Sequence, residues 1–174
     1  SPGITAPAPV ATATPSPFTL SVRFVGEGGT DAHRELFRRA AQRWSRVVRS
    51  TPEAVTLSAP AGECAPWIPA VSERVQSLVV FVRIAAIDGP NRVVAQATPC
   101  YVSSTSRLPL LGFFELDEED LAVLTDRGVL EQVVLHEMGH VLGIGTLWNY
   151  HRTLLSGAGT DDPHFTGPAA RDAF

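Results

Sequence analysis

The chain contains one methionine and two cysteines, and no stretch approaches the eighteen or so consecutive apolar residues of a membrane-spanning helix. A transmembrane helix is therefore not expected. There is no initiator methionine and no leader of the charged-then-apolar kind, so the chain reads as a mature or trimmed form. Charge of either sign is sparse. The 14 basic and 18 acidic residues leave a net charge of −4 and a pI near 5.7, which gives no footing for nucleic acid or for an anionic membrane surface. What remains is 174 residues, 44% of them hydrophobic, with a mean hydropathy of +0.08. That is enough for one domain with its own core.

The informative stretch is Val134 to Trp148, V-L-H-E-M-G-H-V-L-G-I-G-T-L-W, which places His136, Glu137 and His140 in the pattern H-E-x-x-H. On an α-helix, residues four apart lie one turn above each other, so both imidazoles can reach one ion from one face. Two neutral histidines supply half of a tetrahedral zinc shell, and Glu137 beside them is placed to act as general base toward a water. At 100° per residue Val129, Val133, His136, His140 and Gly143 share one side, and Val134, Met138 and Val141 the other, which predicts a helix buried on both sides. Gly139 inside it costs about 1 kcal/mol against alanine, so a packing or clearance reason is expected there. Gly143 and Gly145 can take positive φ and end the helix just past the second histidine. The bland alternative is two core histidines beside a chance glutamate. The helical context weighs against it.

These residues resemble the metzincin metallopeptidases, whose motif H-E-x-x-H-x-x-G is matched by His136, Glu137, His140 and Gly143. Where most of that group carry a third ligand, three residues after the glycine, this chain has Thr146. The leishmanolysin family within the group inserts a long segment before its third histidine, and the run H-E-M-G-H-V-L-G-I-G-T-L-W is similar to its bacterial, secreted relatives. Asp88 to Cys100 and Asp162 to Pro168 are similar to them too. The resemblance implies an α/β (α+β) fold with a twisted, mostly parallel mixed sheet, a backing helix and an active-site helix. It also implies a Zn2+ cofactor, an extended polypeptide substrate and endopeptidase activity. His151, Asp161, Asp162 and His164 are the chemically able third ligands in this chain, His164 the best placed. Leishmanolysin-like relatives take that ligand from further downstream, followed by a methionine-containing turn, and the only methionine here is Met138. Residues 18–174 are accordingly expected to be the amino-terminal part of a catalytic domain, inactive alone, and the alternative is a non-catalytic zinc- or peptide-binding module of the same fold. For Cys64 and Cys100, half a zinc site is disfavoured because neither has a C-x-x-C spacing or an adjacent histidine. A disulfide fits a secreted or cell-envelope protein and is also what the resemblance implies.

Along the chain, Ser1 to Pro17 is built of Pro, Ala, Thr and Ser and reads as a linker, with the domain starting at Phe18. Phe18, Leu20, Val22 and Phe24 alternate as in a strand. A helix is predicted from a Thr30 cap to Arg49, with Leu36, Phe37, Ala40, Ala41, Trp44, Val47 and Val48 inward, a solvated arginine face and His33 as a surface histidine. Ala54 to Leu57 predicts a short strand and Ser58 to Ala70 a loop. The apolar run Ser77 to Ala86 predicts the central strand and Arg92 to Ala97 the next. Leu108 to Leu116 reads as an irregular edge strand with its proline at the start. By the resemblance this stretch is the rim that pairs with substrate, with Phe113 and Phe114 as candidates for a subsite and one of them in the core. The acids Asp117, Glu118, Glu119 and Asp120 invite a calcium reading. A capped short helix that buries Leu121 and Leu124 and ends at Gly128 fits better.

Overall fold

A computed structural model describes residues 18–49, 54–150, 154–168 and 172; the linker reading of residues 1–17 and the candidate His151 fall outside them. In chain order the elements are β1 (Leu20–Phe24), α1 (Asp31–Val47), β2 (Val55–Ala59), β3 (Val71–Val75), β4 (Leu78–Ala85), β5 (Ala95–Val102) and β6 (Pro109–Asp117). A 3-10 turn at Glu118–Asp120 then leads into α2 (Leu121–Asp126) and α3 (Leu130–Val141), and a short pair, β7 (Leu155–Ser156) and β8 (His164–Phe165), follows. The four-stranded sheet runs β1-β4-β6-β5, parallel throughout except for β5, which lies antiparallel along one edge. The fold is thus mixed α/β with a mixed sheet.

The apolar run at β4 is explained by its two covered faces. Leu78, Val80, Val82 and Ile84 join Phe37, Ala40 and Ala41 of α1 and Val134, Met138 and Val141 of α3 in one core. Val79 and Phe81 point the other way, into a second core with Leu57, Ile68, Val71 and Val75, so the β2–β3 hairpin covers the second face. Thr30 caps α1 as its sequence predicts, and His33 completes a capping box by accepting from the Thr30 N–H through Nδ1. His33 therefore has a local task beyond surface solvation.

Three expectations need correction. The Leu108 to Leu116 stretch is no edge: β6 lies inside the sheet, paired with β4 on one side and β5 on the other. Its proline is only its first residue, where a missing donor costs the ladder little. Phe114 is wholly buried in the helix-side core, and Phe113 packs edge-on against Trp67 on the opposite face, their ring centroids 5.9 Å apart. Phe114 is thus the core member of the pair, packed with Val134 and Met138 of α3, and Phe113 on the opposite face does not line a subsite beside α3. Finally, α3 is buried on one side only, through Val134, Met138 and Val141; Val129 and His136 are exposed.

The antiparallel edge β5 is tied down from behind. Cys64 and Cys100 form a disulfide with Cα atoms 5.7 Å apart, joining the loop after β2 to the edge strand. The 36-residue separation corresponds to a loop-closure stabilisation of about 3 to 4 kcal/mol in the chain-entropy model. Tyr101 donates to Glu63 across the same junction. Buried Glu115 on β6 receives Arg83 Nε of β4 at 2.7 Å and Gln96 Nε2 of β5 at 2.7 Å, so one carboxylate links three strands.

Close approach sets where α3 sits. A Cβ on Gly112 would lie 2.4 Å from Val141 Cγ1 and 2.7 Å from the Thr98 carbonyl oxygen, whereas one on Gly139 would meet Trp44 Cζ2 at 3.4 Å, an ordinary contact. The expected clearance at Gly139 is thus mild. Gly112→Ala should cost about 1 to 3 kcal/mol through overpacking. Gly139→Ala should be neutral or gain up to about 1 kcal/mol of helix propensity. Urea unfolding of both variants checks this; equal losses would refute the packing account.

Candidate metal centre

The helix that carries the site starts after α2 is closed by Gly128, whose φ of 66° lets Val129 turn into α3. Trp44 on α1 donates through Nε1 to the Leu135 carbonyl at 3.1 Å, fixing α3 at the residue just before His136. Apolar burial of Val134, Met138 and Val141 sets the rotation of the helix. His136, Glu137 and His140 are left on the solvent side, with the first exposed and the other two partly buried.

The helix ends in a way that orients His140. Gly143 has a φ of 99°; its N–H bonds the His140 carbonyl at 3.0 Å and the Ile144 N–H reaches back to the Gly139 carbonyl at 3.0 Å. This is the Schellman pattern. It swings the Ile144 carbonyl to 2.8 Å from His140 Nδ1. A carbonyl can only accept, so Nδ1 carries the proton and Nε2 keeps its lone pair. That lone pair faces His136, with the two Nε2 atoms 3.0 Å apart and the rings at 88° to each other. Two nitrogens bound at about 2.0 to 2.1 Å to one tetrahedral zinc lie about 3.3 Å apart, so a small opening of the pair admits the ion. Ligand atoms of His136, Glu137 and His140 all fall within 4.8 Å of one another. The nitrogen-rich donor set suits zinc, and the Ile144 carbonyl is the outer partner that such a histidine ligand needs.

Burial pushes the Glu137 carboxyl above the usual glutamate range, while His140 and His136 pull it the other way. A carboxyl held this way can take up a proton closer to neutrality than a free one, which suits a general base.

The remaining candidates separate. Thr146 donates through Oγ1 to the His140 carbonyl at 2.7 Å and so seals the helix end. His164 lies on β8 with Nδ1 3.1 Å from the Asp162 carbonyl, and both residues, like Asp161, are exposed. Among the described residues, none of His164, Asp161 and Asp162 joins the His136–Glu137–His140 group. Two contributors escaped sequence reasoning. The Ile144 carbonyl is a backbone group with no residue-type signature, and Trp44 reads only as an apolar position on α1. The edge strand nearest the site is β5, because α3 packs across β5 and β6 at Gly112 and Val141.

Glu137 yields a pH prediction for the metal-free protein. A carboxyl with a raised folded pKa favours folding while protonated; that contribution is complete below the unfolded pKa and is lost as pH rises through the folded one. Glu137→Gln should therefore match the wild type in acid and become the more stable of the two as pH climbs through that interval. Urea midpoints of chelator-treated protein across pH decide it, and a difference independent of pH would remove burial as the cause.

No family model matches the sequence, and no curated protein matches it either.

Proposed function

We propose that this chain carries the metal-binding helix of a zinc-dependent endopeptidase of leishmanolysin-like, metzincin type. The observation that carries the reading is the pair of Nε2 atoms 3.0 Å apart, one of them oriented by the Ile144 carbonyl, with Glu137 in the same group. Zinc held by His136 and His140 would supply Lewis acidity toward water and a peptide carbonyl. Glu137 takes a proton from the attacking water and returns it to the departing amine. The antiparallel edge β5 replaces the Leu108 to Leu116 stretch as the place where an extended polypeptide adds as a strand. The third protein ligand comes from outside the described residues.

The disulfide supports a secreted or cell-envelope location. Among the described residues no helix is long and apolar enough to cross a membrane. The second reading, a non-catalytic zinc- or peptide-binding module, is favoured by one observation: no third histidine or aspartate joins the two imidazoles among the described residues.

Zinc content after dialysis, measured on the wild type and on His140→Ala, together with cleavage of an unstructured protein, tests the reading. Endopeptidase chemistry predicts one zinc per chain, lost in His140→Ala, and a fall in cleavage of about 10²- to 10⁴-fold in Glu137→Ala with zinc retained. Zinc bound without cleavage would favour the binding module. Little retained zinc and no cleavage would place the remaining ligand outside this chain, as an amino-terminal part of the site requires, and zinc retained undiminished in His140→Ala would overturn both.

A further inference from the structure

The four acids from the last residue of β6 through the turn that follows do not share one environment. Glu118 and Glu119 are exposed, as an acidic first turn should be, whereas Asp117 is fully buried and Asp120 is 2% exposed. Asp117 has its cap: Oδ1 accepts from Glu119 N at 2.9 Å, and Oδ2 accepts from Ile87 N at 3.3 Å. Asp120 Oδ1 accepts from Asn91 N at 2.8 Å, which aims the carboxylate at the loop between β4 and β5. Its other oxygen, Oδ2, is buried and has no hydrogen-bond partner. Among the described residues no arginine or histidine pairs with either aspartate. Two carboxylates taken out of water against one loop, with no counter-charge among the described residues and one oxygen bare, are a costly arrangement unless a cation completes it.

The facing loop has the means to help. It curls through Gly89 and Asn91, both at positive φ (96° and 58°), and brings Asp88 round to accept from Val93 N at 3.0 Å. The acceptors open to a cation there are oxygens: the bare Asp120 Oδ2, the remaining lone pairs of the Asp117 carboxylate and carbonyls of the loop, whose Ile87 and Asn91 N–H groups already meet the two carboxylates. A hard cation is matched to such a set, and an irregular loop suits calcium, which tolerates variable geometry, better than magnesium, which demands an octahedron. Zinc prefers the nitrogens of the other site.

We propose that Asp117 and Asp120, with oxygens of the 87–93 loop, form a structural Ca2+ site separate from the His136–His140 centre. The ion ties the β4–β5 loop to the turn that launches α2 and α3, so it braces the connection leading to the metal-binding helix. The competing explanation is an Asp120 carboxyl buried with no ion beside it.

Calorimetric titration of the full chain, freed of metal with EGTA, decides between them, using CaCl2 and MgCl2 in turn and following thermal unfolding in parallel. The expected result is one Ca2+ per chain with a Kd at or below about 10⁻³ M, a calcium-dependent rise in Tm and a weaker response to Mg2+. Asp120→Asn should weaken Ca2+ binding at least about tenfold, and Glu118→Gln, an exposed neighbour, should leave it unchanged. No calcium heat and no Tm shift in the wild type would overturn the site whether or not Asp120→Asn folds. An undiminished response in Asp120→Asn would overturn it too, by placing the ion elsewhere. Greater stability of Asp120→Asn in EGTA, with no calcium response in either protein, would establish a buried acid without an ion instead.

Discussion

The contact on which the rest of this structure depends is the close approach of α3 to the sheet where Gly112 meets Val141. With no side chain at position 112, β6 lets the helix settle against β5 and β6, and the same step brings Val134 and Met138 into the core with Val80 and Val82. A helix held by three consecutive inward turns cannot rotate without exposing one of them. Its outward face is thereby assigned, and His136, Glu137 and His140 occupy that face. Trp44 adds a directional restraint, since its hydrogen bond to the Leu135 carbonyl can form only at one axial position of α3 relative to α1. Packing fixes rotation and the indole fixes translation.

The chemistry of the site is then finished by local backbone. A left-handed residue at Gly143 closes the helix, and closure brings the Ile144 carbonyl under His140 Nδ1. Thr146 holds the same turn from its far end. Orientation of the ligand thus comes from a run of seven residues, His140 to Thr146, and not from a distant partner. A side chain at 143 would be strained by the φ of 99° and would meet Leu147 Cδ1 at 2.9 Å, so glycine there serves the histidine as much as the helix.

What the sequence disclosed follows from how each feature is encoded. Period-two alternation in β1, a doubly covered run in β4, the capped amphipathic α1 and the H-E-x-x-H spacing on α3 are written in residue types, and the structure has each of them where periodicity puts it. Where Pro109 and Gly112 interrupt a strand, residue types mislead. They read as an irregular edge, yet the proline sits at the first pairing position and the glycine marks helix clearance, so an interior strand looks like a border. The strand β3, V-S-E-R-V, escaped because only Val71 and Val75 of it are buried, which leaves too little pattern to separate it from the loop before it. The His140 orienter is a carbonyl, and carbonyls carry no sequence. The burial of Asp120 was equally hidden, because four consecutive acids look solvated until the loop after β4 closes over two of them.

Moving the edge from β6 to β5 alters what the sheet can do. An open edge that accepts a peptide strand must stay flat and in register while the partner comes and goes, yet an unrestrained edge also invites pairing with other chains. Here β5 has its register shifted near Pro99 and Tyr101, which breaks the regular ladder and limits indiscriminate pairing. Behind it, the Cys64–Cys100 link, the Tyr101–Glu63 bond and the Gln96–Glu115–Arg83 chain hold the strand from the face turned away from α3. Those restraints all reach β5 from the hairpin side or through the sheet, and none crosses the face where the imidazoles lie. On the proposed reading, an edge braced from one side and open toward the metal-binding helix is what lets a passing polypeptide be held straight without a wall on the side of the chemistry.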